Sequence, residues 1–284
     1  MSAPFPAVRV GQPLRYQALT VFPLFAESNG QVEYLLSDEA LGAGAVTVQE
    51  VSEGGSVPDL LVENKGHSRV LFIEGEQLIG AKQNRILNTS VLIAANSRVK
   101  IPVSCVEQGR WAYRTKQFGS SGTHSPSKLR RALKQSVNFS LFKGKGHRSD
   151  QGRVWEEVAE LAADLEVGSP TEALSDSFAA YQDSTDKFLD RLQYPEGAAG
   201  MAVAIGGRVI ALDLFDKPST LAKAWRRLLS GFALESVGVP PAEGQVDVTH
   251  VEELVTAMTA AAWNPAPAVG EGEEFRMDAN SAHG

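Results

Sequence analysis

The period of the hydrophobic pattern changes along this chain, and that change limits the possible folds more than any other feature. Between residues 17 and 107, short β-type runs alternate with glycine and asparagine turn signals, whereas between residues 154 and 258 apolar residues recur at helical spacing. A strand-rich half followed by a helix-rich half is typical of the α+β class. The regular spacing of the runs predicts a sandwich or barrel-like sheet in the N-terminal half.

Seven runs of the first half have strand character and are separated by turn residues. Asn29-Gly30 favours a type I′ turn, because both central residues of that turn need positive φ, and would join the first two runs as a hairpin. The seven runs are Ala18–Phe25, Val32–Leu36, Ala45–Val51, Asp59–Val62, Arg69–Ile73, Arg85–Ile93 and Arg98–Val106.

In the last of these runs the apolar residues fall on every second position, and Lys100, Pro102 and Ser104 lie between them. Val99, Ile101, Val103 and Cys105 share one face, so Cys105 is predicted to be a packed, unreactive thiol rather than a nucleophile. Extending the same phase brings Glu107 to that face just where the strand ends. A carboxylate in this position needs a partner if it is buried.

The chain after Asp150 is predicted to form helices and one late hairpin, with Asp150 as the candidate N-cap of the first helix. The hairpin spans residues 201–215, turns at Gly206-Gly207 and is predicted to join the sheet. Residues 1–265 are therefore predicted to form a single α+β domain, followed by a flexible acidic tail over residues 266–284. The predicted parts of that domain are a β-rich part (15–111), a basic loop with a short helix (112–150), and helices plus the hairpin (151–265).

Charge is distributed unevenly along the sequence. The formal net charge is −7, yet residues 110–153 contain eleven cations and one carboxylate, which leaves −17 for the remaining 240 residues. Such segregation predicts either a positive surface that attracts an anionic ligand or acidic partner, or a basic loop that pairs with acidic helices of the same chain. The sequence does not choose between these alternatives.

Several classes of protein and site are excluded by what the sequence lacks. A single cysteine excludes a disulfide framework and fits a reducing compartment, so a cytoplasmic location is predicted, and no run of 18 apolar residues indicates a membrane span. Phosphate-binding, dinucleotide-binding and nucleophile-elbow motifs are missing, and no cofactor can be named. We assign no metal, because the five histidines show no ligand spacing, although carboxylate-bound Mg²⁺ is an open alternative.

Polar residues beside the predicted strands form the candidate site. Carboxylates there suit general base chemistry or hydroxyl binding, arginine binds phosphate or carboxylate bidentately, and tryptophan contacts a flat ring. The alternatives are a hairpin with polar ends in water, Arg110 paired with Glu107 while Trp111 plugs the sheet end, and Asp150 acting only as a cap. The catalytic candidates are Glu74, Glu76 and Glu107, and the ligand-binding candidates are Gln83, Asn84, Arg85, Arg110, Trp111, Arg130 and Gln151.

The chain also resembles a known family at these clusters. The motifs that carry the resemblance are Glu76–Gly80, Gln83–Arg85, Cys105–Trp111, Asp150–Trp155 and Leu214–Asp216. They are similar to the bacterial ARG-and-rhodanese-phosphatase-superfamily-associated protein domain family, over roughly residues 15 to 265. The resemblance implies a link to ADP-ribose or NAD pathways and supplies no catalytic residues.

Two functions follow as expectations. In the first, a cytoplasmic protein binds an anionic, nucleotide-derived small molecule and processes it if one of the carboxylates acts as base. In the second, a non-catalytic regulatory module uses the basic helix around Lys128–Lys134 to bind an acidic protein partner. Nucleic-acid binding ranks last, because aromatic residues are scarce in the basic segment, and the oligomeric state is not predicted.

Overall fold

The computed structural model describes residues 5–27, 30–241, 244 and 246–277, which form sixteen strands and seven helices. Strands dominate before residue 125 and helices after it, so the predicted α+β class is confirmed. The strands are β1 Val8–Val10, β2 Leu14–Tyr16, β3 Leu19–Ala26, β4 Tyr34–Leu36, β5 Val46–Glu50, β6 Asp59–Asn64, β7 Arg69–Phe72, β8 Glu76–Gly80, β9 Arg85–Leu87, β10 Val91–Ile93, β11 Ser97–Cys105, β12 Phe118–His124, β13 Gly200–Ile205, β14 Arg208–Leu214, β15 Trp263–Ala266 and β16 Glu274–Met277. The helices are α1 Ser37–Gly42, α2 Ser127–Phe142, α3 Gln151–Asp164, α4 Leu174–Ala180, α5 Gln182–Arg191, α6 Pro218–Glu235 and α7 Val248–Ala260.

Two compact units divide the chain. The first unit comprises Met1–Val32, Tyr181–Pro265 and Phe275–Gly284, and the second comprises Glu33–Ala180 and Ala266–Glu274. The expectation that residues 1–265 form one domain stays a prediction. No helix among the described residues has both the length and the apolar character needed to cross a bilayer.

The second unit contains a closed barrel, as the spacing of the strand signals predicts. Its strand order is β11-β6-β5-β12-β8-β9, and a three-stranded sheet β10-β7-β4 belongs to the same unit. Along β5, Val46 and Val48 are buried while Thr47 is only half-buried, which is the alternation expected of a strand with one face in a core. Each fully buried valine or leucine of this interior contributes about 1.5–3 kcal/mol.

The first unit contains a five-stranded sheet ordered β1-β3-β13-β14, with β2 also paired to β3. The late hairpin is confirmed: β13 and β14 are joined at Gly206 and Gly207, whose φ angles are 57° and 80°, and β13 pairs with β3. Val251 of α7 belongs to the same buried hydrophobic cluster as Phe22 and Leu24 of β3. The hairpin therefore extends a sheet begun by the first strands of the chain.

The early hairpin prediction is wrong. Asn29 lies outside the described residues, but β4 pairs in parallel with β7 instead of returning along β3. Both edges of β3 are already occupied, one by β13 and the other by β1 and β2. The run Val32–Leu36 therefore has no free edge of β3 to pair with.

Two Gly-, Ser- and Lys-rich segments of the predicted basic loop (112–150), Gly119–Ser127 and Lys143–Ser149, are held by contacts with distant parts of the second unit. β12 closes the barrel between β5 and β8, and Phe118 at its start is buried. In the second segment the His147 carbonyl accepts from Asn88 Nδ2 at 2.9 Å, and the imidazole Nε2 lies 2.9 Å from Glu274. Backbone pairing and distant side chains order these segments, and neither leaves a local sequence signal.

Helix predictions are confirmed for α2, α3, α6 and α7, with one difference in the middle of the series. Asp150 caps α3, since its Oδ1 accepts from the Arg153 amide at 3.2 Å. The helical spacing of apolar residues over 174–192 predicts one helix, whereas the structure has two, α4 and α5, separated at Tyr181. The predicted tail contains β16, which pairs with β15.

Candidate functional site

One end of the barrel carries charged and thiol side chains on its inner face. β5 ends at Glu50, β9 begins at Arg85 and β11 ends at Cys105, and the strand pairing brings all three to the same end of the barrel, here called the mouth. Each is in phase with inward-facing apolar residues of its own strand, and each is at most 7% exposed. We call Glu50, Arg85 and Cys105 the polar layer. It lies directly above the apolar interior.

Arg85 and Glu50 have incomplete hydrogen bonding. Arg85 Nη1 donates to Gln83 Oε1 at 3.0 Å, but among the described residues Nε and Nη2 of Arg85 and both carboxylate oxygens of Glu50 have no hydrogen-bond partner. Arg85 Nη2 lies 4.0 Å from Glu50 Oε1, which is an ion pair without direct hydrogen-bond contact. Burial lowers the pKa of Arg85, an effect that the neighbouring Cys105 and Glu50 oppose. Buried charges with unmade hydrogen bonds are costly and uncommon in folded proteins.

Cys105 is a buried structural thiol, as its position on the apolar face of β11 predicts. Burial raises the pKa of Cys105, and its Sγ donates to the Glu107 carbonyl at 3.3 Å. Its backbone forms two 2.8 Å hydrogen bonds with the side-chain amide of Gln151, one to Oε1 and one from Nε2. Gln151, a predicted ligand-binding residue, therefore holds the end of β11 in place.

Glu107 and Arg110 form a fully satisfied buried pair beside the polar layer. Arg110 Nε donates to Glu107 Oε1 at 2.7 Å and Nη2 to Oε2 at 2.6 Å. Arg110 Nη1 donates to the carbonyls of Ala81 and Ala112, so every guanidinium nitrogen has a partner. The alternative that Arg110 pairs with Glu107 is the one the structure shows.

The same pair fixes the protonation state of Glu107. Burial alone would raise the pKa of Glu107, but hydrogen bonds from Arg110, from the Asn84 amide and from Thr171 Oγ1 outweigh it and hold the pKa below its ordinary value. Glu107 is thus a carboxylate held by four surrounding groups, since Arg114 Nη2 also lies 3.5 Å away. This environment suits a structural anion better than a general base, whose pKa lies near the operating pH.

Two aromatic side chains cover the mouth. Trp111 and Tyr113 are 47% and 51% exposed, and the guanidinium carbon of Arg85 lies 5.7 Å from the centre of the Trp111 ring. Lys82 Nζ lies 5.2 Å from the Trp111 ring and 5.1 Å from the Tyr113 ring. A Cβ added at Gly55 would lie 3.1 Å from Trp111 and 3.3 Å from Glu50 Oε2, so the Trp111 ring and the carboxylate approach the same backbone position.

The remaining predicted residues form a second cluster. Arg130 Nη2 lies 3.1 Å from Glu74 Oε2, Lys134 Nζ lies 3.6 Å from the same oxygen, and Glu76 accepts from Ser37. Glu76 begins β8, whereas the Glu107–Arg110 pair meets β8 at its other end, so about 13 Å of strand separates them at about 3.3 Å per residue.

The predicted site residues therefore divide into two groups. Gln83, Asn84, Arg85, Glu107, Arg110 and Trp111 come together at the mouth, with Gln151 behind them, while Glu74, Glu76 and Arg130 lie at the far end of β8. Across the part of the chain that the structure describes, no group of three metal-ligating side chains is formed.

Three further residues of the mouth, Glu50, Lys82 and Tyr113, are not among the site residues predicted from the sequence. Glu50 had a usable signal, because it follows Val46 and Val48 in strict alternation, the same pattern that placed Cys105 in the interior. Lys82 and Tyr113 lie on irregular segments, and their approach to Trp111 depends on how those segments fold. No local pattern could have indicated them.

Comparison with known proteins gives a family and no closer relative. A family model described as ARG and Rhodanese-Phosphatase-superfamily-associated Protein domain matches residues 7–284. The search of curated proteins and the search of solved structures return no match. The match covers both compact units, so it applies to the barrel and to the five-stranded sheet alike.

Proposed function

This chain belongs to the ARG and Rhodanese-Phosphatase-superfamily-associated Protein domain family, and from that premise we propose that its barrel mouth binds an anionic, nucleotide-derived small molecule. The observation that carries the proposal is the polar layer, in which Arg85 and Glu50 are buried with hydrogen-bonding capacity to spare beneath Trp111. A ligand supplies the missing acceptors and donors. The proposal covers binding and leaves the reaction open.

Each side chain at the mouth has a distinct part in this proposal. The Nε and Nη2 edge of Arg85 donates to ligand oxygens, which is the bidentate edge of a guanidinium. Trp111 and Tyr113 stack on a flat ring and move to admit the ligand, since both are half exposed on an irregular segment. Arg114 and Lys116 on that segment are exposed and attract the anionic group.

A titration of ADP-ribose, NAD and adenosine 5′-monophosphate into the full chain by calorimetry tests the proposal. Arg85→Lys keeps the charge but loses the bidentate edge, so at least one of these compounds should bind it about tenfold more weakly or worse. Arg153→Lys is the matched control, because Arg153 is an exposed arginine of the same unit that pairs only along α3. Absence of binding to the wild type, or equal loss in both variants, contradicts the proposal.

A cytoplasmic location accompanies this proposal. It rests on the single thiol of the chain, Cys105, which is unpaired and buried.

The second candidate function is binding of an acidic protein partner at α2. Phe139 and Phe142 are 65% and 83% exposed at its C-terminal end, and Lys143 Nζ lies 5.4 and 5.5 Å from their rings. An exposed aromatic pair beside cations suits an acidic segment with apolar anchors. Arg130, predicted as part of this surface, is buried against Glu74, so Arg131 is the residue to reverse.

A labelled peptide rich in glutamate and leucine distinguishes the two functions. If α2 is the interface, fluorescence anisotropy detects peptide binding that Phe142→Ser and Arg131→Glu both weaken while nucleotide binding is unchanged. If neither variant alters peptide binding, this second function is contradicted.

A further inference from the structure

The polar layer requires a particular arrangement of hydrogen-bond donors and acceptors in its ligand, in addition to a suitable charge. Arg85 offers two N–H donors on one edge, and Glu50 offers two carboxylate oxygens, with 4.0 Å between the nearest atoms of the two groups. Any group that satisfies both must accept hydrogen bonds from the guanidinium and donate hydrogen bonds to the carboxylate. A phosphate at neutral pH accepts without donating well, and an ammonium donates without accepting.

Charge balance leads to the same requirement. Glu50 and Arg85 neutralise each other, and both are removed from water. A phosphate placed against Glu50 in this layer brings like charges together where screening is weak, whereas a neutral hydroxyl pair leaves the balance unchanged. The anionic part of the ligand then lies further out, near the exposed Arg114 and Lys116.

Gln83 orients the arginine for this purpose. Its Oε1 accepts from Arg85 Nη1 at 3.0 Å, and its Nε2 donates to the Glu107 carbonyl at 2.9 Å, so both ends of the amide are fixed. Next to Gln83, the Asn84 backbone N–H donates to Glu107 Oε2, and Asn84 Oδ1 accepts from Arg110 Nη2. The Glu107–Arg110 pair therefore also fixes the position of Asn84. Arg85 is therefore held through Nη1, which leaves its Nε and Nη2 edge for a ligand.

We propose that Glu50 and Arg85 bind the cis-diol of a ribose, with Glu50 accepting from the two hydroxyl groups and Arg85 donating to their oxygens. Adjacent hydroxyls on one face of a sugar both donate and accept, so one pair can donate to the two oxygens of a carboxylate and accept from a guanidinium. This assignment rests on the proposed function, because it places the sugar of the same ligand. It makes Glu50 the residue that distinguishes ribose from deoxyribose.

The test compares adenosine 5′-monophosphate with its 2′-deoxy and 3′-deoxy analogues by calorimetry on the full chain. The wild type should bind each deoxy analogue about tenfold more weakly or worse, because one oxygen of Glu50 then lacks its donor. Glu50→Gln should bind the parent nucleotide more weakly and reduce this discrimination to about threefold or less. Thermal melting of the variant shows whether it is folded, and Glu50→Asp, which keeps the carboxylate, should retain part of the discrimination.

The outcomes separate this inference from the proposed function. Equal binding of the ribose and deoxyribose compounds, with both lost in Arg85→Lys, overturns the diol assignment and leaves the ligand site in place. Discrimination that persists undiminished in folded Glu50→Gln overturns the role of Glu50. If none of the three compounds binds the wild type although ADP-ribose or NAD does, the diol assignment is overturned and the proposed function stands. If ADP-ribose and NAD also fail to bind, both are overturned, and Glu50 and Arg85 are left as a water-bridged ion pair.

Discussion

At the residue scale, the two buried arginines of the barrel mouth differ in how many of their hydrogen bonds the protein supplies. Arg110 uses all three guanidinium nitrogens on Glu107 and nearby carbonyls, whereas Arg85 uses Nη1 alone. The two residues were equivalent from sequence, since each is an arginine after a short polar motif. Partners from distant segments distinguish them, and no local spacing encodes those partners. Arg110 is therefore fully bonded within the protein, whereas Arg85 keeps the two unbonded nitrogens on which the proposed ligand site depends.

Removing Arg110 should lower the stability of the fold, because it leaves a buried carboxylate without its main partner. Arg110→Ala leaves Glu107 buried without its main partner, so the free energy of unfolding should fall by about 3–5 kcal/mol. Denaturant unfolding at pH 7 measures this change. Arg226→Ala removes an arginine that is 55% exposed with exposed aspartates as partners, and should cost only about 0–1 kcal/mol. Equal costs for the two variants would contradict the buried pair.

The Glu107–Arg110 pair also predicts a dependence on acid pH. The pKa of Glu107 is lowered in the folded state, so the stability it contributes is present above the unfolded pKa of about 4.3 and is lost as the pH falls through the folded pKa. Glu107→Gln should be less stable than the wild type at pH 7, and its disadvantage should shrink as the pH falls below about 4.3. Unfolding curves at several pH values check this, and a constant difference would contradict it.

At the element scale, strands with an apolar alternation could be predicted and strands held only by their neighbours could not. β11 was found with its inward face because Val99, Ile101 and Val103 alternate. β12 contains two glycines, two serines and a threonine in seven residues, a composition that predicts a loop, yet it closes the barrel by pairing with β5 and β8. The mouth exists only because that closure occurs. The composition of β12 thus gives no sign of the strand that closes the barrel.

The loop after β5 can be tested through its glycine. Gly55 has φ of +77°, and an added Cβ would contact Trp111 and Glu50, whereas Gly44 has φ of +68° and open space around it. Gly55→Ala and Gly44→Ala should therefore share a backbone cost of about 1–2 kcal/mol, but only Gly55→Ala should shift the tryptophan emission. The shift should disappear in a Trp111→Phe background. A comparable shift in Gly44→Ala would contradict the contact between Gly55 and Trp111.

At the scale of the whole molecule, much of the positive charge predicted for residues 110–153 is neutralised within the second unit. Arg110, Arg114, Arg130 and Lys134 pair with Glu107 or Glu74, while Lys128 and Arg153 pair along or across helices. Over the described part of the chain, the cations of this segment without an ion pair are Lys116, Arg131, Lys143, Lys145 and Arg148. Intramolecular pairing is therefore found for part of the segment, whereas a positive surface that attracts a ligand or partner stays a prediction. Among the unpaired cations, Lys116 shares a segment with Trp111.

A fluorescence titration of the full chain with ADP-ribose tests the central claim most directly, because Trp111 lies over Arg85 at the mouth. The account predicts saturable quenching of the wild type, loss of that quenching in Trp111→Phe, and at least about tenfold weaker binding in Arg85→Lys. Quenching that survives unchanged in Trp111→Phe, or binding that Arg85→Lys leaves intact, would place the ligand elsewhere and contradict the account.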